Sequence, residues 1–174
     1  RAMSALYVIT GAMAAGKSTV AKALVQRFDK SAHVGGDAFL RMIVKGAAVM
    51  GPVLDTEARA QLTLRQEIAA DVVRRYHDAG FTVVYQDILI GQDLIAAVGR
   101  LADLAPRVVV LAPDPQTLAK RDAARAKTGY VPGFPPEVLS TALANETPRI
   151  GLWLDTSHLD VEETVAAILG HSWA

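Results

Sequence analysis

The 174-residue chain has no cysteine. That excludes disulfide staples, thiolate nucleophiles and thiolate zinc sites together, and a reducing compartment, the cytoplasm first of all, is expected. No apolar run approaches the roughly 20 residues of a spanning helix, and the N-terminus lacks the charged, apolar and small-residue order of a secretory signal. An excess of one charge is missing too: 18 basic side chains stand against 18 acidic ones. No broad polyanion-binding surface is implied, so nucleic acid and membrane are not expected as partners and any phosphate site must be local. The four histidines, His33, His77, His158 and His171, show no ligand spacing, which argues against a histidine metal site. No internal repeat is present.

What remains is ordinary globular composition, 51% apolar and 21% charged, at a length that buries one substantial core. Arg1, Ala2 and Met3 read as a remnant ahead of the domain, so residues 4–174 are expected to form a single domain. Leu6 to Thr10, Ser31 to Gly36, Phe81 to Asp87, Arg107 to Leu111 and Gly151 to Leu154 read as strands, because each is a short run rich in β-favouring residues bounded by turn signals. Helical spacing runs from Lys17 to Phe28, from Ala38 to Val49, from a cap at Thr56 to a stop at Gly80, and from Gln92 to Leu101. Further helices are expected over Gln116 to Lys127, Glu137 to Asn145, and from a cap at Asp160 through Leu169. Thr128 to Pro136 (TGYVPGFPP) is dense in glycine and proline and reads as an irregular lid over the scaffold. This alternation predicts an α/β, three-layer αβα fold with about five parallel strands and helices on both faces. Its ligands belong at the carboxyl ends of the strands.

One motif decides the chemical class. Gly11-Ala12-Met13-Ala14-Ala15-Gly16-Lys17-Ser18 matches the phosphate-binding pattern G-x-x-x-x-G-K-[ST] at every fixed position, between a predicted strand and a predicted helix. Gly11, Ala12, Met13, Ala14, Ala15, Gly16, Lys17, Ser18 and Thr19 are therefore the expected nucleotide-binding residues, with backbone N–H groups and the helix start facing the phosphates. Lys17 is placed on the β- and γ-phosphates and Ser18 on Mg²⁺. Asp37, after two glycines at a strand end, can take or orient an acceptor's proton, a role compatible with that of a helix N-cap, the alternative reading. Asp87 ends a buried strand, where it fits either a metal ligand or a turn. Arg121 and Arg125 are four apart, so both guanidinium groups can share one face, toward the site or simply toward solvent.

The loop, its following helix and the five-strand alternation resemble the nucleoside monophosphate kinase, shikimate kinase, gluconate kinase and chloramphenicol phosphotransferase group of P-loop kinases. The likeness to chloramphenicol phosphotransferase is carried by Val34-Gly35-Gly36-Asp37-Ala38-Phe39 and by Asp87, similar to that family's two acidic positions, although Gln86 stands where it has a second acidic residue. The resemblance implies a catalytic or acceptor-orienting role for Asp37, a Mg²⁺ role for Asp87, and lid arginines at Arg121 and Arg125 that neutralise the transferring phosphoryl group. Arg41 resembles an arginine that holds the acceptor's phosphate in nucleoside monophosphate kinases. Their Asp-Gly-Phe-Pro-Arg segment is absent, however, replaced by Asp87-Ile88-Leu89-Ile90-Gly91, which favours a less charged acceptor. Phe39, Arg41 and Met42 are the expected acceptor-side residues beside Asp37. Asp155-Thr156-Ser157 resembles the loop that passes the adenine and also reads as a helix-entry turn. The expected activity is transfer of the γ-phosphate of ATP, with Mg²⁺, to a small-molecule hydroxyl. A nucleoside monophosphate kinase, a zeta-toxin-like sugar-nucleotide kinase and a P-loop ATPase are the alternatives.

Overall fold

The computed structural model describes residues 3–125 and 134–174, so residues 128–133 of the expected lid lie outside the described residues. Strands β1 (Leu6–Gly11), β2 (Ser31–Gly35), β3 (Thr82–Gln86), β4 (Arg107–Leu111) and β5 (Leu152–Leu154) form one sheet in the order β2-β3-β1-β4-β5, parallel at every pairing. The helices are α1 (Lys17–Val25), α2 (Asp37–Arg41), α3 (Thr56–Asp78), α4 (Gln92–Arg100), α5 (Pro115–Ala123), α6 (Pro136–Glu146) and α7 (Val161–Gly170), with a 3-10 turn at Ala102–Leu104.

Alternation along the strands divides the core in two, as a pleated sheet requires. Leu6 and Val8 join Val83 and Tyr85 on one face, against Ala69 and Val73 of α3, Leu94 of α4 and Leu143 of α6. Tyr7 and Ile9 join Val84 and Val109 on the other, against Val20, Ala21 and Leu24 of α1, Leu118 of α5 and Val165 and Ile168 of α7. Helices therefore cover both faces, which is the expected three-layer arrangement. Central strands buried on both sides read in the sequence as unbroken apolar runs such as Val108-Val109-Val110-Leu111 for the same reason. Among the described residues no helix is long and apolar enough to cross a membrane.

Two expectations are corrected. The helix read over Ala38 to Val49 stops at Arg41. Met42, Val44 and Val49 are exposed, so the apolar spacing there has no surface to bury, and propensity without a packing partner does not sustain a helix. Gln61 of α3 holds this segment instead, accepting from the Ala48 N–H and donating to the Gly46 carbonyl, both at 2.8 Å. The second correction is the cap of α3: Asp55, not Thr56, accepts the Ala58 N–H at 2.8 Å. At α7 the reading holds, and Asp160 with Glu163 completes a reciprocal capping box.

Candidate active site

Gly11 ends β1 and Lys17 opens α1, leaving the phosphate loop as a tight connection at the carboxyl edge of the central strand. Ala14 (φ +64°) and Gly16 (φ +91°) are left-handed, and their neighbours Met13 and Ala15 are not. Such alternation turns successive backbone N–H groups into one concavity suited to anions. Holding a non-glycine residue there costs about 1–2 kcal/mol, strain of the kind that collects at functional turns. The N-cap of α1 is Gly16, with no side-chain capping bond, so the first-turn N–H groups are left for an external acceptor. Packing of Val20, Ala21 and Leu24 against the sheet fixes the axis of α1 beneath the loop.

Lys17 lies across this loop, its Nζ donating to the Ala12 carbonyl at 2.8 Å. Burial pushes its pKa down to about 8, against the opposing pull of Asp87 and Asp37, while Arg125 adds to the depression. That interaction brings four of the residues singled out in the sequence into one electrostatic unit. Ser18 and Thr19, in the first turn of α1, are exposed.

Asp87 is held tightly. Its N–H donates to the Ile9 carbonyl at 3.1 Å, which seats it beside the end of β1. One carboxylate oxygen accepts the Tyr85 hydroxyl and the other the Ile88 N–H, each at 2.9 Å. Burial raises its pKa, and the Tyr85 bond and the Ile88 bond act against that rise. Burial also raises the Tyr85 hydroxyl, with the adjacent Asp87 charge adding to it. A β-carbon at position 36 would collide with all three atoms of the Asp87 carboxyl group, so the second glycine of the Gly35-Gly36 pair is a packing requirement of Asp87. Gly36→Ala is expected to cost about 1–3 kcal/mol, as overpacking does, and to displace Asp87. Denaturant unfolding of the variant checks the first effect and its phosphotransfer rate the second.

Asp37 is the first residue of α2 rather than its cap. The N-cap is Gly36, and no side chain caps this helix. Its carboxylate is exposed, yet close enough to Lys17 to raise that residue's pKa. The three expected acceptor-side residues divide. Phe39 is buried in the core with Val34, Tyr85 and Leu89, whereas Arg41 and Met42 are exposed at the end of α2.

Arg121 reaches the phosphate loop from α5. It donates to the Ala15 carbonyl at 3.3 Å, to the Thr156 carbonyl at 2.9 Å and to the Thr156 hydroxyl at 3.5 Å. The guanidinium thus ties the loop to the turn after β5, where Asp155 accepts the Ser157 hydroxyl at 2.5 Å. Arg125 pairs with buried Asp122 at 3.4 Å. Tyr85, which orients Asp87, and Arg65 and Gln66, buried on α3, were not singled out in the sequence. No local motif marks them, since their meaning comes from elements that meet only in the fold.

A protein-family model described as AAA domain matches residues 6–148. A comparison with curated proteins gives no match. Among solved structures, the chain is similar to the Deinococcus radiodurans tunicamycin resistance protein, with 17% identity, a TM-score of 0.68 and 98% of each chain covered. It is likewise similar to the Mycobacterium tuberculosis APS kinase solved with AMPPNP and APS, at 19% identity and TM-score 0.67 over 95% of this chain and 96% of that one. A gluconokinase from Sinorhizobium meliloti matches at 20% identity and TM-score 0.64, over 97% and 91%.

Proposed function

The chain belongs to the AAA domain family, and on that premise we propose that it is an ATP- and Mg²⁺-dependent phosphotransferase acting on the hydroxyl of a small molecule. The observation that carries this reading is the convergence of Lys17, Asp37 and Asp87 at the carboxyl ends of β1, β2 and β3, with both carboxylates acting on the one ammonium group. The likeness to kinases of several small acceptors supports the same class of reaction.

In the proposed reaction the bond between the γ-phosphorus and the β,γ-bridging oxygen breaks and a bond from the acceptor oxygen to that phosphorus forms. The acceptor's proton passes to the Asp37 carboxylate. Lys17 compensates the charge on the β- and γ-phosphates, and the loop N–H groups fix their position before reaction. Arg121 keeps the loop in register with the turn after β5, and Arg125 stands close enough to add positive charge near Lys17. Ser18 Oγ and the Asp87 carboxylate have the hard oxygen chemistry that suits Mg²⁺, an ion ordinarily held by one or two protein oxygens together with substrate phosphates. Bound there, the ion would neutralise phosphate charge. The lack of cysteine supports a cytoplasmic setting.

The test is a screen with γ-labelled ATP against antibiotics, sugars, nucleosides and nucleoside monophosphates. Label appearing in an acceptor product is the expected result. Release of all label as inorganic phosphate across the panel would sink the transferase reading in favour of hydrolysis.

A further inference from the structure

α3 carries two buried polar side chains that the proposed chemistry does not use. Arg65 is 9% exposed and Gln66 2%. Neither Arg65 Nε nor Gln66 Nε2 has a hydrogen-bond partner among the described residues. The buried charged residues there are Arg65 and Asp122. Asp122 faces Arg125, whereas Arg65 has no carboxylate within ion-pair distance among the described residues. A buried Nε–H without a partner is costly, and no carboxylate offsets the charge at close range, so the retention of Arg65 calls for a partner that arrives with a ligand.

The fold says where that ligand lies. β2 and β3 are parallel neighbours and α3 connects them, so α3 runs against the strands and its N-terminal half stands at their carboxyl edge. Arg65, Ala69 and Val73 follow the i, i+4 ladder, as do Gln66 and Ala70. Ala69, Ala70 and Val73 are core residues packed with Val83, Tyr85 and Phe39. Arg65 and Gln66 are thus the next turn up, where the packed core gives way to the edge that holds Asp37 and Asp87. The positive charge of Arg65 is felt at the Asp87 carboxylate and the Tyr85 hydroxyl.

We propose that Arg65, with Gln66 beside it, is an oxyanion subsite for the acceptor, so that the acceptor carries a carboxylate or a phosphate in addition to the hydroxyl that is phosphorylated. This deepens the phosphotransferase reading and rests on it. It also reverses the expectation of a less charged acceptor: the segment after β3 has no arginine, but α3 brings one to the same edge. A guanidinium fork matches the paired oxygens of either anion, and Gln66 Nε2 is a second donor for the same group. The arrangement separates two tasks, the phosphate loop holding ATP from the α1 side while α3 orients the acceptor beneath Asp37.

The test compares acceptors that differ only in the oxyanion: glycerol with glycerate and glycerol 3-phosphate, and glucose with gluconate and glucose 6-phosphate. With γ-labelled ATP, an anionic member is expected to exceed its neutral partner in kcat/KM by about 100-fold, the scale of charge-assisted hydrogen bonds. Comparison of the two anionic members identifies carboxylate or phosphate. Arg65→Met keeps the apolar stem and should raise the KM of that acceptor by about 100-fold with the KM of ATP unchanged, and Arg65→Lys should recover part of the loss. Equal use of neutral members, or a fall in kcat with acceptor KM untouched, overturns the proposal and leaves Arg65 as a neutraliser of Asp87. Should none of these acceptors take label, the wider acceptor screen decides the phosphotransferase reading separately, and binding still decides Arg65. With the phosphate loop saturated by AMPPNP, inorganic phosphate or malonate should raise the melting temperature of the wild type and not of Arg65→Met. No anion-dependent rise in the wild type, or the same rise in both proteins, overturns the subsite.

Discussion

Asp37→Asn is expected to lower phosphotransfer by about 10² to 10⁴, the range over which a positioned general base contributes, while ATP affinity stays near its original value. The structure makes this substitution informative. Asp37 opens α2 without capping it, since Gly36 is the N-cap and no side chain fills that role, and its carboxylate is exposed. Loss of the charge therefore removes no buried interaction, and unfolding free energy should stay within about 0.5 kcal/mol of the wild type, as for most surface substitutions. The asparagine keeps the size and the polarity, so acceptor binding by shape is retained and the fall belongs in kcat. Steady-state kinetics with both substrates, beside nucleotide titration of the variant, separate the outcomes. Full activity would return Asp37 to a structural role, and a loss confined to ATP affinity would move it to the metal-binding set.

The sheet was legible because its central strands are buried on both faces. Arg107 to Leu111 has identical bounds in sequence and structure, and the other strands shift by a residue or two at ends where the ladder begins or stops. The phosphate loop was legible because its residues are contiguous, so one local pattern carries the whole constellation. Helix α2 was misread because periodicity reports which residues could share a face, not whether a partner lies opposite that face. Met42 and Val49 show the difference, being apolar, seven apart as one helical face requires, and exposed. Phe39 shows the converse, since an aromatic two residues after Asp37, expected on the acceptor side, turned inward to pack with Val34 and Leu89. Contacts between distant segments left no local trace at all. Arg121 meets Thr156 across 35 residues, and Arg65 approaches Asp87 only because the parallel β2-α3-β3 crossover folds α3 back over the strand that follows it. Gly36 sits between these cases: the glycine pair was visible, and its cause, the Asp87 carboxyl group packed against it, was not.

Lys17→Met should abolish at least about 10² of phosphotransfer, the scale of losing one preorganised electrostatic group, without a matching loss of stability. The reason is the sign of the Lys17 shift. Burial holds its folded pKa at about 8, below the roughly 10.4 of an unperturbed lysine. Between those two values the folded state binds fewer protons than the unfolded state, so wild-type stability rises as pH increases through that window. Below pH 8 both states are protonated and the folded state carries the full cost of a charged amine in a desolvated loop. Methionine fills similar volume with no charge, which relieves that cost, so the variant should be at least as stable as the wild type at pH 7. It should also lack the Lys17 share of the rise in stability between about pH 8 and pH 10. Denaturant unfolding of both proteins at the two ends of this range measures the difference, and equal pH dependence would show that Lys17 titrates normally. ATP should act like the mutation on this one observable, for the opposite reason. Phosphate oxygens around the ammonium stabilise its charged form and lift its pKa back toward the ordinary lysine range, so the nucleotide-saturated wild type should lose the alkaline gain while becoming more stable at neutral pH.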